Sequence, residues 1–514
     1  MVGSVNTRLS TEHVASVARD VLGMRAVLRV LIPVLAAAVL AGCAINPVTH
    51  RPEFVVMSAE EERQLGAEEA KRVEQSISFA GDPQLTAYVA QVGQRVAAQS
   101  PRTDVHYNFH ILDMSEPNAF ALPSGDVYVS RGLLVLLNSE DELAGVLGHE
   151  VGHVAARHTV QRATRAAPLA IFTSLASGIT GLASPTLGQM IGGVGEAANA
   201  GLVVAPYGRD QERQADQLGQ QFEAAAGWDP SALSSALLSL QHEEVLQPSG
   251  PSRPSFFDSH PSTPERVQNT ADYARTLQRA TAAPISPTRD AFVRHLDGLV
   301  VGVPAAEGVF DGQLFRQPDL GFAVRFPDDW LTGNGRALVG AASSDGRALV
   351  VVEMVADGDD PVLGRRAFER AAQLSSDLPS RATTINGLPA QQIRVTAQAG
   401  QGDVGLDLTW IALGGHVYQV TGIAPLTRAD ALAPTFDAVA LSFRPLTPAE
   451  RAAIRETRLR LVPARVGETA AAVKARTTTV WSAAMVAAAN GKDLDAPFAA
   501  GELVKIAVSE PYRP

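Results

Sequence analysis

Residues 139–153 read Ser-Glu-Asp-Glu-Leu-Ala-Gly-Val-Leu-Gly-His-Glu-Val-Gly-His, and the architecture of the chain is best inferred outward from them. Ser139 and Glu142 have the spacing of a helix-capping box. The acidic residues 140–142 lie in the predicted first turn, where negative charge suits the helix dipole. Apolar residues then recur at helical spacing, which predicts an amphipathic helix reaching about residue 157. Gly145, Gly148 and Gly152 each cost this helix about 1 kcal/mol relative to alanine, so we expect a packing or access reason for them.

The second half of this helix carries His149-Glu150-Val151-Gly152-His153. Histidines four residues apart lie on one helix face, about one turn apart, where a single zinc ion can bind both. Zinc lowers the pKa of a water that it holds to about 7, and Glu150 is placed to accept the proton of that water. The motif therefore predicts metal-assisted hydrolysis, and the alternative is a pair of surface histidines on a helix.

The third zinc ligand must come from elsewhere in the chain. His158 is nearest, but on a continuous helix it lies about 140° away from His153, so we interpret it as a structural residue beside the site. The metzincin pattern requires glycine and histidine where this chain has Ala156 and Thr159, which excludes that class.

Glu212 is the better candidate for the third ligand. A second helix is predicted from about residue 208, and Glu212 and Asp216 lie four residues apart on one of its faces. The first can bind zinc, and the second can accept the free N–H of a ligand imidazole. The alternative is an ordinary solvated acidic face.

This pair of helices resembles the gluzincin peptidases of the CAAX prenyl protease, HtpX and BepA group, over about residues 58–280. Three further phrases carry the resemblance. Tyr207-Gly-Arg-Asp-Gln-Glu-Arg-Gln-Ala-Asp216 resembles the segment around that group's third ligand. Asn118-Ala119-Phe120-Ala121 resembles the edge strand with which that group binds substrate backbone, and Ser259-His260-Pro261 followed by Arg266 resembles its His-Pro loop.

The resemblance implies a zinc endopeptidase with one Zn²⁺ per chain. By this resemblance His149, His153 and Glu212 hold the metal, and Glu150 is the general base. His260 then either stabilises the oxyanion or caps the zinc as a fourth ligand. Arg266 and Asp216 complete the polar network around the site.

Composition limits the other possibilities. The 514 residues are 46% hydrophobic and 19% charged, which is typical of a globular chain of two to four folded units. The net charge of -11 argues against nucleic acid as a partner. Cys43 is the one cysteine, which excludes an intramolecular disulfide and a zinc site built on several thiolates.

The N-terminal region predicts export and membrane anchoring. Two arginines precede a short apolar stretch that ends in Leu40-Ala-Gly-Cys43, and this sequence resembles a bacterial lipobox. The resemblance implies a signal peptide over residues 1–43, starting at Met1 or Met24, and a lipid anchor at Cys43. The protein would then face the periplasm, and Ala44 favours the outer membrane. The alternative is an ordinary signal in which the cysteine occurs by chance.

The rest of the chain divides by pattern into a linker, three folded units and a second linker. The predicted fold class is α+β, with a mainly helical zincin domain that contains a small sheet, then an α+β domain of unknown role, then a small βααβ domain. The second unit resembles PsbP-like domains, and the third resembles a LysM module, with an inert docking unit as its alternative. The predicted boundaries are 44–57 (linker), 58–285 (metallopeptidase), 286–310 (linker), 311–446 (α+β) and 455–514 (LysM-like).

Function follows from these predictions. The leading hypothesis is an endopeptidase acting on misfolded or unassembled envelope proteins, with peptidoglycan as a second candidate partner. The alternatives are an envelope-assembly chaperone or peptidoglycan-associated binding lipoprotein with a latent protease site, and a peptidoglycan hydrolase.

The uncharged stretch 166–190 contains two prolines and predicts a buried helical hairpin or lid.

Overall fold

The computed structural model describes residues 43–45, 48, 52–54, 57–162, 206–246, 256–261, 264–335, 338–372, 380–399 and 402–513. The predicted hairpin at 166–190 and the predicted signal before Cys43 lie outside these residues. Helices and strands occur together throughout the described chain, so the α+β prediction is confirmed. None of the helices in the described ranges is both long and apolar enough to cross a membrane.

The N-terminal unit is mainly helical. Its helices are α1 (Ala59–Ser76), α2 (Pro83–Ala97), α3 (Arg131–Leu136), α4 (Glu140–Ala155), α5 (Arg209–Ala225), α6 (Ala232–Leu246), α7 (Phe256–Ser259), α8 (Pro264–Ala274) and α9 (Arg289–Arg294). The sequence analysis did not predict α6, because apolar and polar residues alternate around this helix without forming one apolar face.

Two small sheets accompany these helices. Strands β1 (Cys43–Ile45) and β2 (Pro52–Phe54) form an antiparallel pair. Strands β3 (Asn108–Leu112), β4 (Ala119–Ala121) and β5 (Asp126–Ser130) form a sheet in the order β3-β5-β4. Strand β5 pairs parallel with β3 and antiparallel with β4, which leaves β4 at an edge.

Helix α4 lies in the centre of this unit, and nearly all of its residues are buried. It crosses α5 so closely that a Cβ atom on Gly148 would lie 2.9 Å from the carbonyl oxygen of Gly219. A Cβ atom on Gly152 would likewise lie 2.9 Å from the carbonyl oxygen of Ala215. The expected packing reason for the helix glycines is therefore confirmed, and the close crossing brings α5 against the motif of α4.

The second unit is built on antiparallel sheets. Its strands are β6 (Val309–Asp311), β7 (Leu314–Gln317), β8 (Phe322–Arg325), β9 (Leu331–Asn334), β10 (Leu338–Ala342), β11 (Leu349–Asp357), β12 (Arg381–Ile385), β13 (Leu388–Ala399), β14 (Gly402–Leu413), β15 (His416–Pro425) and β16 (Arg444–Pro445). One sheet has the order β12-β13-β14-β15-β11-β10-β9, and the other has the order β16-β8-β7-β6. Helices α10 (Val362–Ala371) and α11 (Leu426–Ser442) pack on the larger sheet.

The C-terminal unit follows a short helix, α12 (Pro448–Ala453). It consists of β17 (Arg455–Pro463), α13 (Ala470–Arg476), α14 (Ala483–Ala489) and β18 (Leu503–Pro511), in the predicted order strand, helix, helix, strand. Strands β17 and β18 pair antiparallel.

The predicted linker 286–310 is an ordered part of this arrangement. It contains α9, and Phe292 and Val293 of that helix are buried in the core of the N-terminal unit. The chain then runs beside β17, where the N–H of Gly298 donates to the carbonyl of Leu459 over 2.9 Å.

Candidate metal centre

The predicted site residues come together around the crossing of α4 and α5. Helix α4 supplies the histidines and the glutamate of its motif, and α5 supplies the two acidic residues. The loop after α7 and the first turn of α8 supply the histidine and arginine of the predicted His-Pro loop. All of these side chains are buried: His149, Glu150, His153, Glu212, Asp216, His260 and Arg266.

Four of these residues direct a nitrogen or oxygen atom to one point. Nε2 of His149 lies 3.0 Å from Nε2 of His153 and 3.2 Å from Nδ1 of His260. Oε1 of Glu212 lies 3.3 Å from Nε2 of His153 and 3.2 Å from Nδ1 of His260. The ligand atoms of the four residues all lie within 4.8 Å of one another.

This spacing fits a tetrahedral zinc site. Zinc binds imidazole nitrogen and carboxylate oxygen at about 2.0 to 2.2 Å, so tetrahedral ligands lie about 3.3 Å apart. Four of the separations between ligand atoms run from 3.0 to 3.3 Å, and the others lie within 4.8 Å. The side chains are three imidazoles and one carboxylate, which suits zinc and excludes a thiolate site.

For two of the ligands, His153 and Glu212, the pKa shift favours the protonation state that binds metal. Burial lowers the pKa of His153 well below its ordinary value, which favours the neutral ring. Burial opposes the ionisation of Glu212, but His260, His153 and Arg266 together hold the pKa of its carboxyl well below the ordinary value. A neutral imidazole and an ionised carboxylate are the forms that coordinate zinc. His260 differs, because Glu212 and Glu150 outweigh the effect of burial and raise the pKa of its ring above the ordinary value.

Asp216 and Arg266 form the network that orients His149. Nδ1 of His149 lies 2.9 Å from Oδ1 of Asp216, so the carboxylate can accept its N–H. The guanidinium of Arg266 donates to both oxygens of Asp216, over 2.8 and 2.9 Å, and lies 2.7 Å from Oε2 of Glu212. The structure thus places Asp216 behind His149 and Arg266 between the two carboxylates.

Glu150 lies beside the ligand cluster without joining it. Neither of its carboxylate oxygens has a hydrogen-bond partner among the described residues, and Oε1 lies 3.6 Å from Nε2 of His260. Burial raises the pKa of Glu150 above its ordinary value. A carboxylate with a raised pKa and free oxygens is suited to accept a proton near neutral pH.

Aromatic rings enclose the ligand histidines. The ring of Phe256 stacks on His260 with centroids 4.5 Å apart, and the ring of Tyr207 lies 3.9 Å from that of His153. Both aromatic residues are buried. From the sequence, Tyr207 was only the first residue of the phrase that resembles the segment around the third ligand, and Phe256 was not singled out, since an isolated aromatic residue carries no local signal of a site.

His158 is closer to the site than a continuous helix would allow. Helix α4 ends at Ala155, and Arg157 has a left-handed backbone conformation with φ of 58°. The chain therefore turns, and Nδ1 of His158 comes to 3.0 Å from Nδ1 of His153. Helix α4 ends at Ala155 and not at about residue 157, and the interpretation of His158 as a structural residue beside the site stays a prediction.

The predicted substrate strand is the edge strand β4. It packs against α4, with Ala119 and Ala121 buried and Phe120 partly exposed on the opposite face. The N–H of Ser130 donates to the carbonyl of Asn118, and the N–H of Leu122 donates to the carbonyl of Asp126. Because hydrogen-bonded pairs alternate along an antiparallel ladder, the backbone groups of Ala119 and Ala121 point away from β5, to the open edge.

A family model described as Peptidase family M48 matches residues 83–274, which include α2 through α8. These residues form an M48 peptidase domain. The prediction that the chain resembles this group of metallopeptidases is therefore confirmed for the N-terminal unit. The C-terminal LysM-like resemblance stays a prediction.

Two relatives match part of the chain. The mitochondrial metalloendopeptidase OMA1 of Schizosaccharomyces pombe is 30% identical over 241 residues, which cover 45% of this chain and 66% of that protein. The beta-barrel assembly-enhancing protease of Escherichia coli is 28% identical over 225 residues, which cover 43% of this chain and 45% of that protein. The chain thus covers less than two thirds of the length of either relative.

One solved structure is similar to part of the chain. The PsbP protein of Synechocystis sp. PCC 6803 covers 27% of this chain and 95% of its own, at 15% identity and a TM-score of 0.22. A score this low assigns no fold, so the PsbP-like resemblance of the second unit also stays a prediction.

Proposed function

We propose that this chain is a zinc-dependent endopeptidase. The observation that carries the proposal is the buried cluster of His149, His153, Glu212 and His260, with the unpartnered carboxylate of Glu150 beside it. The M48 family match supports it, as do relatives whose names are metalloendopeptidase and protease.

Each residue has a distinct part in the proposed chemistry. A bound zinc ion supplies Lewis acidity and an acidified water. Glu150 accepts a proton at its carboxylate and returns it to the leaving amine. Asp216 holds the ring of His149 in the tautomer that directs Nε2 to the metal, and Arg266 neutralises the charge of Asp216 and Glu212.

His260 is proposed to be a displaceable ligand. Its Nδ1 lies with the three other ligand atoms, while its Nε2 faces Glu150. Four protein ligands complete a tetrahedral set, whereas a catalytic zinc keeps one position open for water or substrate. We therefore expect His260→Ala to retain stoichiometric zinc through the remaining three ligands.

The proposed substrates are misfolded or unassembled proteins of the bacterial envelope. Strand β4 offers an open edge above α4, to which an extended peptide backbone can add. One relative carries the name beta-barrel assembly-enhancing protease. The lipobox ending at Cys43 supports a periplasmic enzyme anchored to the outer membrane, and peptidoglycan contact through the C-terminal unit is a further proposal.

Substitution of Glu150 tests the mechanism. We expect Glu150→Gln to retain zinc but to lose casein cleavage by a factor of about 10² to 10⁴, because the general base is removed. Glu223→Gln is the matched control, since Glu223 is also fully buried and its oxygens have no hydrogen-bond partner among the described residues. Equal cleavage by wild type and Glu150→Gln would exclude the proposed mechanism.

Substitution of Glu212 tests the metal site. Glu212→Ala keeps three imidazoles but loses the one charged ligand, so we expect it to bind zinc more weakly than both the wild type and His260→Ala, as measured by metal analysis after gel filtration. The two alternative functions predict different results from a zinc endopeptidase. If the protein is a chaperone, Glu150→Gln should protect envelope proteins as well as the wild type does. If it is a peptidoglycan hydrolase, the purified protein should release muropeptides from sacculi.

A further inference from the structure

His153 is held from behind by a second histidine that takes no part in the ligand cluster. Nε2 of His153 faces the cluster, 3.0 Å from Nε2 of His149, so its Nδ1 faces away from the cluster. Nδ1 of His153 lies 3.0 Å from Nδ1 of His158, which is fully buried. Only one of these two nitrogens can carry the shared proton.

The surroundings of His158 decide which nitrogen carries it. Nε2 of His158 lies 3.0 Å from the carboxamide oxygen of Gln214, which can only accept a hydrogen bond. The proton of the neutral His158 ring is therefore on Nε2, which leaves Nδ1 as an acceptor. His153 must then donate from Nδ1, and its Nε2 is free to bind a metal.

The chain holds His158 in this place through a strained residue. Arg157 adopts a left-handed conformation, which is uncommon for a residue other than glycine. Its guanidinium donates to the buried carboxylate of Glu62 on α1 over 3.0 Å and to the carbonyl of Met57 over 3.2 Å. These contacts offset the cost of the turn that brings His158 back against the end of α4.

We propose that His158 is a positioning residue of the metal centre. It accepts the Nδ1–H of His153 and so presents Nε2 of His153 to the zinc ion, and this inference rests on the proposed function. The two ligand histidines are thus held differently, His149 by the carboxylate of Asp216 and His153 by a neutral ring. Arg157 and Glu62 act one step further out, by fixing the position of His158.

Zinc affinity of the full chain tests this role. In His158→Leu the acceptor is lost, and we expect zinc affinity to fall by a factor of about 10 to 100, measured by competition with a chromophoric chelator. His158→Asn should restore most of the affinity, because its amide oxygen can accept at the position of Nδ1. His295→Leu is the control, since His295 contacts Tyr88 and Ser286, outside the metal centre.

Thermal unfolding of the metal-free proteins separates positioning from a merely structural role. We expect His158→Leu and His158→Asn to unfold at similar temperatures without zinc and to differ only in zinc affinity. If the leucine variant does not fold, His158→Gln replaces it, because its amide reaches the position of Nε2 and leaves that of Nδ1 empty.

Two results would overturn the proposal for His158. One is a leucine or glutamine variant with the zinc affinity of the wild type, and the other is an asparagine variant that binds zinc as weakly as the leucine variant. Failure of the wild type itself to bind zinc is a different result, because it would overturn the proposed metal centre as a whole.

Discussion

Two fully buried glutamates show how surroundings decide the role of one residue type. Burial raises the pKa of Glu150 although the imidazoles of the metal centre favour its ionisation, and its oxygens have no hydrogen-bond partner among the described residues. Glu223 lies on α5 near Asp141 and Asp229. Burial, with these acidic neighbours, raises the pKa of Glu223 well above its ordinary value.

The raised pKa of Glu223 predicts a pH-dependent stability. Its protonated form is favoured in the folded state, so its contribution is fully present below the unfolded pKa of about 4.5 and is lost as pH rises through the folded pKa. We expect Glu223→Gln to lose less stability than the wild type as pH rises. Urea unfolding between pH 4.5 and 9 measures this, and parallel curves for the two proteins would contradict it.

The carboxylate of Glu62 forms ion pairs with two buried arginines. Besides Arg157, its carboxylate lies 3.4 Å from the guanidinium of Arg102, which also donates to the C-terminal carbonyl of Val154 on α4. All of these groups are largely removed from water.

Removing that carboxylate should be strongly destabilising. Glu62→Ala leaves the largely buried guanidinium of Arg157 without its carboxylate, whereas Arg102 keeps Asp104, and we expect the free energy of unfolding to fall by about 3 to 5 kcal/mol. Denaturant unfolding of the metal-free protein measures the change. Glu61→Ala is the control, because Glu61 is exposed and caps α1 locally. An equal effect of the two substitutions would contradict this account of Glu62.

At the scale of elements, the pairing of β4 with β5 decides which backbone groups of β4 face the edge of the sheet. The hydrogen bonds of Asn118 and Leu122 to β5 fix the register, so the outward groups belong to Ala119 and Ala121. Proline is tolerated on an edge strand where its missing N–H faces outward.

Proline on this edge should therefore separate folding from substrate binding. We expect Ala121→Pro to unfold close to the wild-type temperature but to cleave casein with a lower kcat/KM, because one outward donor is lost. Ala121→Ser keeps the N–H and is the matched control. Unchanged cleavage by the proline variant would show that substrate backbone does not pair at this position.

At the scale of the whole molecule, the C-terminal unit completes the core of the N-terminal unit. Leu459, Ala489 and Leu503 are buried in the same core as α4. The side-chain nitrogen Nζ of Lys505 is buried and donates to the carbonyls of Val135 and Leu137, over 2.7 and 2.6 Å, just before α4 begins. The α+β unit is thus inserted between two parts of one body.

Asn138 and Arg289 extend this contact to the first turn of α4. The guanidinium of Arg289 donates to the side-chain oxygens of Asn490 and Asn138, over 2.7 and 3.3 Å. The N–H of Asn138 donates to the carboxylate of Glu142 over 2.7 Å. The active-site helix is therefore held at its N-terminus by residues that are distant in sequence.

This arrangement predicts that the M48 domain needs the C-terminal unit in order to fold but does not need the α+β unit. Removing residues 455–514 should prevent the M48 domain from folding, and Lys505→Met should cost about 2 to 4 kcal/mol, since two buried carbonyls lose their donor. Replacing residues 309–446 by a short flexible linker should leave zinc binding intact. The chain segments on either side of the replaced part lie close together, since the N–H of Ala305 donates to the carboxylate of Glu456 over 3.1 Å. Calorimetry and metal analysis of the three proteins measure this, and a folded, zinc-binding protein without residues 455–514 would contradict it.

The sequence alone determined the parts of the site that depend on local spacing. His149 and His153 share a face because they are four residues apart, and the same spacing joins Glu212 to Asp216. Periodicity also predicted α4, α5 and the βααβ order of the C-terminal unit, because helices and strands are encoded by neighbouring residues. The role of His260 and Arg266 came from resemblance, since a loop histidine has no pattern of its own.

The tertiary structure decided what depends on contacts between distant residues. It brought His260 within 3.2 Å of two ligands, turned His158 against His153, and placed Lys505 below the active-site helix. Helix α6 was not predicted because it exposes Leu238, Val245 and Leu246 and buries Ser239 and Glu243, which removes the amphipathic pattern. These features are contacts between residues that are distant in sequence, and residue spacing along the chain does not predict such contacts.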